Sequence, residues 1–171
     1  MKPLAPAIAA LLVLTAAPLA QATPTVGQRV DILTVHNRER AAVGVPPLVW
    51  NQTLAEHAQV WADHLAELGE LQHSTNDSRP GEGENLWMGT AGAYSTVQAV
   101  GSWAEEKADF TYGVFPDGVA PNGDWHKVGH YTQMVWRSTT EVGCAFARGG
   151  GWDYLVCRYG PPGNWIGEKP W

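Results

Sequence analysis

The feature that most restricts the fold is the segment EVGCAFARGGGWDYLVCRY, residues 141–159. Two runs of strand-forming residues flank three glycines, a pattern typical of a β-hairpin with a tight turn. A hairpin centred between Gly150 and Gly151 sets Cys144 opposite Cys157. The same register forms one apolar pair and one ion pair, Phe146 with Leu155 and Arg148 with Asp153. We therefore predict a disulfide across the hairpin, with two free thiols as the alternative.

The first 22 residues have the layout of a secretory signal peptide. A short apolar run follows Lys2, and the small residues Ala20 and Ala22 suit a cleavage site after Ala22. A membrane anchor is the alternative, but the run contains two prolines and no basic stop signal follows it. We expect residues 1–22 to be removed and residues 23–171 to form one domain without a transmembrane segment. The protein would then be extracellular, or periplasmic in a bacterial host.

The charge balance is acidic and excludes one class of partner. The whole chain carries a formal net charge of −6, and cleavage would remove Lys2 and make it −7. Nucleic acids and anionic lipid surfaces repel such a chain at long range. We therefore expect no nucleic-acid partner.

Three segments in the amino-terminal two thirds of the chain have the period of amphipathic helices. The first ends before Gly44 and the prolines that follow it. The second is predicted to begin at a capping box of Thr53 and Glu56, and the third at a capping box of Ser95 and Gln98. Helices followed by a hairpin predict an α+β, layered domain. The segments 73–85 and 111–125, rich in Gly, Pro, Asn and Asp, are expected to be loops between and after the helices.

Two of the six histidines stand at the edges of predicted elements, where functional sites tend to lie. His73 opens a loop that also carries Glu82 and Glu84, and its glycines would allow the chain to fold back towards His73. His130 stands between the third helix and the hairpin. His126 lies in a segment that favours a loop, and we expect it to face solvent. Three other histidines lie inside helical patterns and are expected to be packed or exposed: His36, His57 and His64.

Helical geometry separates two neighbouring acids on the third helix. At about 100° per residue, Glu106 lies about 60° from the apolar Trp103, whereas Glu105 lies about 160° from it. Glu106 therefore borders the core, where an unpaired charge is costly, and a histidine could serve as its partner. The motifs of common hydrolases, nucleotide-binding loops and zinc fingers are absent from the sequence.

Six motifs are similar, in order, to those of the CAP superfamily, which includes cysteine-rich secretory proteins, venom antigen 5 and plant pathogenesis-related protein 1. The motifs are HS at 73–74, GENLW at 83–87, WAEE at 103–106, GHYTQMVW at 129–136, VGCAF at 142–146 and GNWIGEKPW at 163–171. The resemblance implies a three-layer α/β/α sandwich (an SCP domain) with an open cleft. Carried over motif by motif, the cleft residues are His73, Glu84, Glu106 and His130. His130 should begin a short helix.

Two imidazoles and two carboxylates suit a divalent metal such as Zn²⁺, with His73 and His130 as the direct ligands. The alternative is an ionic cluster that only stabilises the fold. The resemblance leaves three functions open: binding of a sterol or other apolar ligand, a defence or interaction role carried by the surface, and metal-assisted, protease-like hydrolysis. We favour binding or interaction over catalysis, because nothing in the sequence around Ser74 marks it as an activated nucleophile.

Overall fold

The computed structural model describes residues 24–171, so the predicted signal peptide, residues 1–22, lies outside the described residues. The helices are α1 (Val26–Ala42), α2 (Gln52–Leu68), α3 (Thr96–Glu105) and α4 (Gly129–Met134). The strands are β1 (Val49–Trp50), β2 (Gly83–Thr90), β3 (Glu141–Gly149) and β4 (Trp152–Gly160). In this part of the chain, no helix has the length and apolar character that crossing a membrane requires.

The four strands form one sheet in the order β1-β3-β4-β2. β1 runs parallel to β3, and the other pairs are antiparallel. The hairpin has the predicted register: Cys144 opposes Cys157, and the apolar and ionic pairs around them form as expected. The predicted disulfide between Cys144 and Cys157 is present.

The sheet separates two helical layers, which confirms the α+β, three-layer sandwich. Alternate residues of β4 point to opposite faces. Cys157 packs in a cluster with residues of α1, α3 and α4, whereas Val156 packs in a second cluster with residues of α2. Gly143 lets α2 approach the sheet closely, because a Cβ atom there would collide with the backbone of Asn51 and Ala55.

The helix starts agree only partly with the prediction. Ser95 and Gln98 form the expected capping box of α3. The capping box predicted at Thr53 is wrong, because α2 already begins at Gln52 and its N-cap is Asn51. The Asn51 side chain accepts a hydrogen bond from the backbone N–H of Leu54 at 3.1 Å, so Thr53 lies inside the first turn.

The glycine-rich segment before Trp87 was predicted to be a loop as far as Asn85, and this is wrong from Gly83 onwards. β2 begins at Gly83 and pairs with β4 along all of its 8 residues. This pairing places Glu84 on a strand, where its direction is fixed by the sheet. The third helix is also shorter than its pattern suggested, since a 3-10 turn (Glu106–Ala108) follows α3.

Candidate functional site

A cleft of about 970 Å³ opens beside the first residues of β2 and α4. One wall is polar and carries histidine, glutamate, arginine and asparagine side chains. Other lining residues are apolar, and we call them the apolar wall. Among the residues lining the cleft are His73, Glu84, Asn85 and His130 on the polar side, and Phe115, Trp125, Trp165 and Ile166 on the apolar side.

His73 is held by Glu84, the second residue of β2. The Nδ1 atom of His73 lies 2.6 Å from Oε1 of Glu84. The Glu84 carboxylate also accepts hydrogen bonds from the backbone N–H of Ser74 at 3.0 Å and from its hydroxyl at 2.8 Å. Its side chain is fully buried, whereas the side chain of His73 is 57% exposed. A buried carboxylate therefore fixes an imidazole that reaches the cleft.

The charge of Glu84 is compensated by a buried arginine on the neighbouring strand. Arg158 lies opposite Glu84 in the β2–β4 register, and its Nη2 atom is 3.1 Å from Oε2 of Glu84. Burial by itself would raise the pKa of the Glu84 carboxyl. The hydrogen bond from His73, the charge of Arg158 and the hydrogen bond from Ser74 outweigh burial, so this pKa lies below its ordinary value.

His130 is held in the same way by Glu106. The Nδ1 atom of His130 lies 2.6 Å from Oε1 of Glu106. The second oxygen of Glu106 accepts the backbone N–H groups of His130 and Tyr131, both at 3.0 Å. The His130 ring stacks on Trp103, with 5.8 Å between ring centroids. The carboxylate of Glu106 thus accepts the free backbone N–H groups at the start of α4 and orients the imidazole. Its neighbour Glu105 is exposed, as predicted.

The four side chains form two pairs rather than one cluster. Within residues 24–171, no three His, Cys, Asp or Glu side chains come close enough together to hold a metal ion. An ionised carboxylate only accepts hydrogen bonds, so each imidazole must donate from Nδ1. In the neutral form of each histidine the lone pair is then on Nε2, and a metal here would bind Nε2 of His73 and Nε2 of His130.

Two consecutive residues of β2, Glu84 and Asn85, contact different histidines. Their side chains can do so because side chains alternate between the two faces of a strand. Glu84 holds His73, and Asn85 donates from Nδ2 to the backbone oxygen of His130 at 3.1 Å. Asn85 is only 2% exposed and also contacts the hydroxyl of Tyr159. No sequence pattern marks Asn85 as a site residue, although it lies inside the GENLW motif.

Three further polar residues near the cleft make contacts that the sequence patterns did not predict. His57 is exposed, within its expected range of packed or exposed, and its Nδ1 also lies 2.6 Å from Oε1 of Glu82. Glu82 in turn lies 3.7 Å from Nη1 of Arg158. His126 is exposed, as predicted, but it stacks on Trp125 and lines the cleft.

The apolar wall includes a carboxy-terminal segment that is tied to α4. The amide of Asn164 donates to the backbone oxygen of Gly129 at 2.9 Å and accepts from the hydroxyl of Thr132 at 2.8 Å. Asn164 has a φ of 59°, a left-handed conformation that asparagine tolerates better than most residues. The next two residues, Trp165 and Ile166, are 52% and 83% exposed at the mouth of the cleft.

Comparisons with known proteins agree with this architecture. Residues 33–159 match the cysteine-rich secretory protein family, CAP. Pathogenesis-related leaf protein 4 of Solanum lycopersicum is 41% identical over 142 residues, which are 82% of this chain and 82% of that protein. Secreted protein RBT4 of Candida albicans is 41% identical over 144 residues, which are 82% of this chain and 36% of that protein. Among solved structures, NaASP2 with Zn²⁺ is 26% identical, with a TM-score of 0.72 over 86% of each chain.

Proposed function

The chain belongs to the cysteine-rich secretory protein (CAP) family, and from this we propose that it is an extracellular protein whose cleft binds a ligand around a divalent cation. Relatives named as pathogenesis-related or secreted proteins support a defence or interaction role outside the cell. The structure of NaASP2 was solved with Zn²⁺, which makes Zn²⁺ the first cation to test.

The observation that carries the proposal is the pair of carboxylate-bound imidazoles, His73 with Glu84 and His130 with Glu106. Metal-bound histidines commonly donate their second ring N–H to a carboxylate, which fixes the tautomer and makes the ligating nitrogen more basic. Both histidines have this arrangement, each at 2.6 Å. A bound Zn²⁺ would supply a positive centre for a polar group of the ligand.

The apolar wall suggests the kind of ligand. A cleft that is lined by both polar side chains and the aromatic Phe115, Trp125 and Trp165 suits an amphipathic molecule whose apolar body rests on the aromatic side chains. We propose a sterol or another lipid rather than a nucleic acid, because the net charge of −6 disfavours polyanions.

The environment of Ser74 argues against a serine nucleophile in the protease-like alternative. Its hydroxyl donates to Glu84 at 2.8 Å, and its side chain is buried. The hydroxyl is therefore bound to a carboxylate that already accepts from His73, and Glu84 is not free to relay a proton for it. A nucleophilic serine needs an adjacent general base to activate it.

Calorimetric titration of the mature protein with Zn²⁺ tests the metal site. Wild type should bind one Zn²⁺, and the variants His73→Ala and His130→Ala should each lose that binding. His64→Ala is the matched control, because His64 is exposed and stacks on Trp61. His57 is unsuitable as a control, because it holds Glu82 at the edge of the cleft. Unchanged Zn²⁺ binding in the double variant His73→Ala/His130→Ala would refute the proposed site.

A further inference from the structure

Asn85 is a buried amide on the polar wall of the cleft, between the two histidine–glutamate pairs. It follows Glu84 in β2, and its Nδ2 atom lies 3.1 Å from the backbone oxygen of His130. The same Nδ2 atom lies 3.1 Å from the hydroxyl of Tyr159. Asn85 therefore contacts the element that carries one histidine and adjoins the residue that holds the other.

The hydrogen-bond partners determine which way the amide points. A backbone carbonyl only accepts, so the NH₂ group of Asn85 must face the oxygen of His130. The Tyr159 hydroxyl lies 2.8 Å from Nε2 of His36, whose Nδ1 faces the backbone oxygen of Ile32. Tyr159 therefore donates to His36 and accepts from Asn85. Both N–H groups of Asn85 are thus used.

The amide oxygen of Asn85, Oδ1, has no hydrogen-bond donor among residues 24–171. In this part of the chain, Oδ1 is also not among the fully buried polar atoms that lack a partner, so it is partly exposed. Asn85 lines the same cleft as His73 and His130. Buried amides normally use their acceptor as well as their donors.

We propose that Oδ1 of Asn85 is the third protein ligand of the divalent cation, directly or through one bound water, beside Nε2 of His73 and Nε2 of His130. This inference rests on the proposed metal site and adds a residue to it. An amide oxygen is a competent neutral ligand for divalent cations that also accept imidazole nitrogen. It would give a set of two nitrogens and one oxygen, with the remaining positions open to water or ligand.

Isosteric replacement separates this role from a purely structural one. Asn85→Asp keeps an oxygen at the Oδ1 position but removes the N–H donors to His130 and Tyr159. Asn85→Ala removes both the oxygen and the N–H donors. If the oxygen binds the cation, Asn85→Asp should bind Zn²⁺ at least as tightly as wild type, whereas Asn85→Ala should bind it about tenfold more weakly or worse.

Zn²⁺ calorimetry is combined with the visible absorption of bound Co²⁺, which reports on the coordination of the metal. Asn85→Ala should change the Co²⁺ spectrum as well as the affinity. Asn37→Ala is the matched control. Asn37 lies on α1, outside the cleft lining, and the variant also loses two side-chain hydrogen bonds, both to the backbone of Leu48. That control should be destabilised yet keep the Zn²⁺ affinity and the Co²⁺ spectrum of wild type.

Each binding result either supports or overturns the role of Asn85 as a metal ligand. Equal Zn²⁺ affinity in wild type and Asn85→Ala would overturn this inference alone and leave the two-histidine site standing. Weakened Zn²⁺ binding in folded Asn85→Asp would show that the N–H donors of Asn85 matter instead of its oxygen, and it would overturn the inference. This test holds even if Asn85→Ala does not fold. A wild-type protein that binds neither Zn²⁺ nor Co²⁺ would overturn both this inference and the proposed function.

Discussion

Protonation of His36 should destabilise the fold in mild acid. His36 is completely buried on α1. Its Nδ1 lies 2.8 Å from the backbone oxygen of Ile32, and its Nε2 lies 2.8 Å from the hydroxyl of Tyr159. Burial lowers the pKa of His36 from 6.5 to about 4; the hydrogen bond to Ile32 opposes this shift and the charge of Arg40 adds to it.

The direction of the effect follows from comparing the folded and unfolded chains. The unfolded chain binds a proton at the ordinary pKa of 6.5 and the folded chain only at about 4, so between these pH values protons favour the unfolded state. This contribution is complete above about pH 6.5 and is lost as the pH falls. The loss is about 3 kcal/mol in all, of which about 2 kcal/mol is reached at pH 5.

Urea denaturation at about pH 7 and about pH 5 measures this loss. Comparison with His36→Gln isolates the contribution of His36 from those of the other histidines. The variant should be less stable at neutral pH, but its stability should fall by about 2 kcal/mol less between the two pH values. His64→Gln, at an exposed position, should keep the full wild-type dependence. An equal dependence on pH in wild type and His36→Gln would refute the reasoning.

Two further predictions concern the hairpin and the ligand. The disulfide closes a loop with a sequence separation of 13, so reducing it should lower the free energy of unfolding by about 3 kcal/mol, measured by urea denaturation with and without reductant; two alkylatable thiols in native, never-reduced protein would contradict it. A fluorescence assay should detect binding of sterols or fatty acids and no salt-dependent binding of oligonucleotides. Trp165→Ala should weaken lipid binding, and Trp152→Ala, exposed but outside the cleft lining, should not; oligonucleotide binding without a lipid signal would count against the proposed ligand class.

The hairpin could be predicted from sequence because all of its determinants are local. The turn glycines set the register, and all the residues that must pair lie in one continuous segment, from Glu141 to Gly160. The capping box of α3 is equally local, since Ser95 and Gln98 lie three positions apart. The separation of Glu105 from Glu106 required only the period of a helix.

The rest of the site depends on pairing between distant segments, which no local pattern specifies. Gly81 and Gly83, just before and at the start of β2, indicate a loop. The segment becomes a strand because it pairs with β4, about seventy positions later in the chain. The roles of Asn85, Arg158 and Tyr159 follow from that pairing. The hydrogen bond between His57 and Glu82 is also non-local, joining α2 to the segment before β2.

The register of the hairpin and the chemistry of the cleft therefore depend on each other. Cys157 opposes Cys144 on one side and Asn85 on the other, and the next residue, Arg158, opposes Glu84. A slip of β4 by one residue would turn Arg158 to the opposite face of the sheet. It would leave the carboxylate of Glu84, whose side chain is fully buried, without its cation, which costs several kcal/mol. By fixing Cys157, the disulfide therefore also selects the register in which Glu84 can remain charged and hold His73.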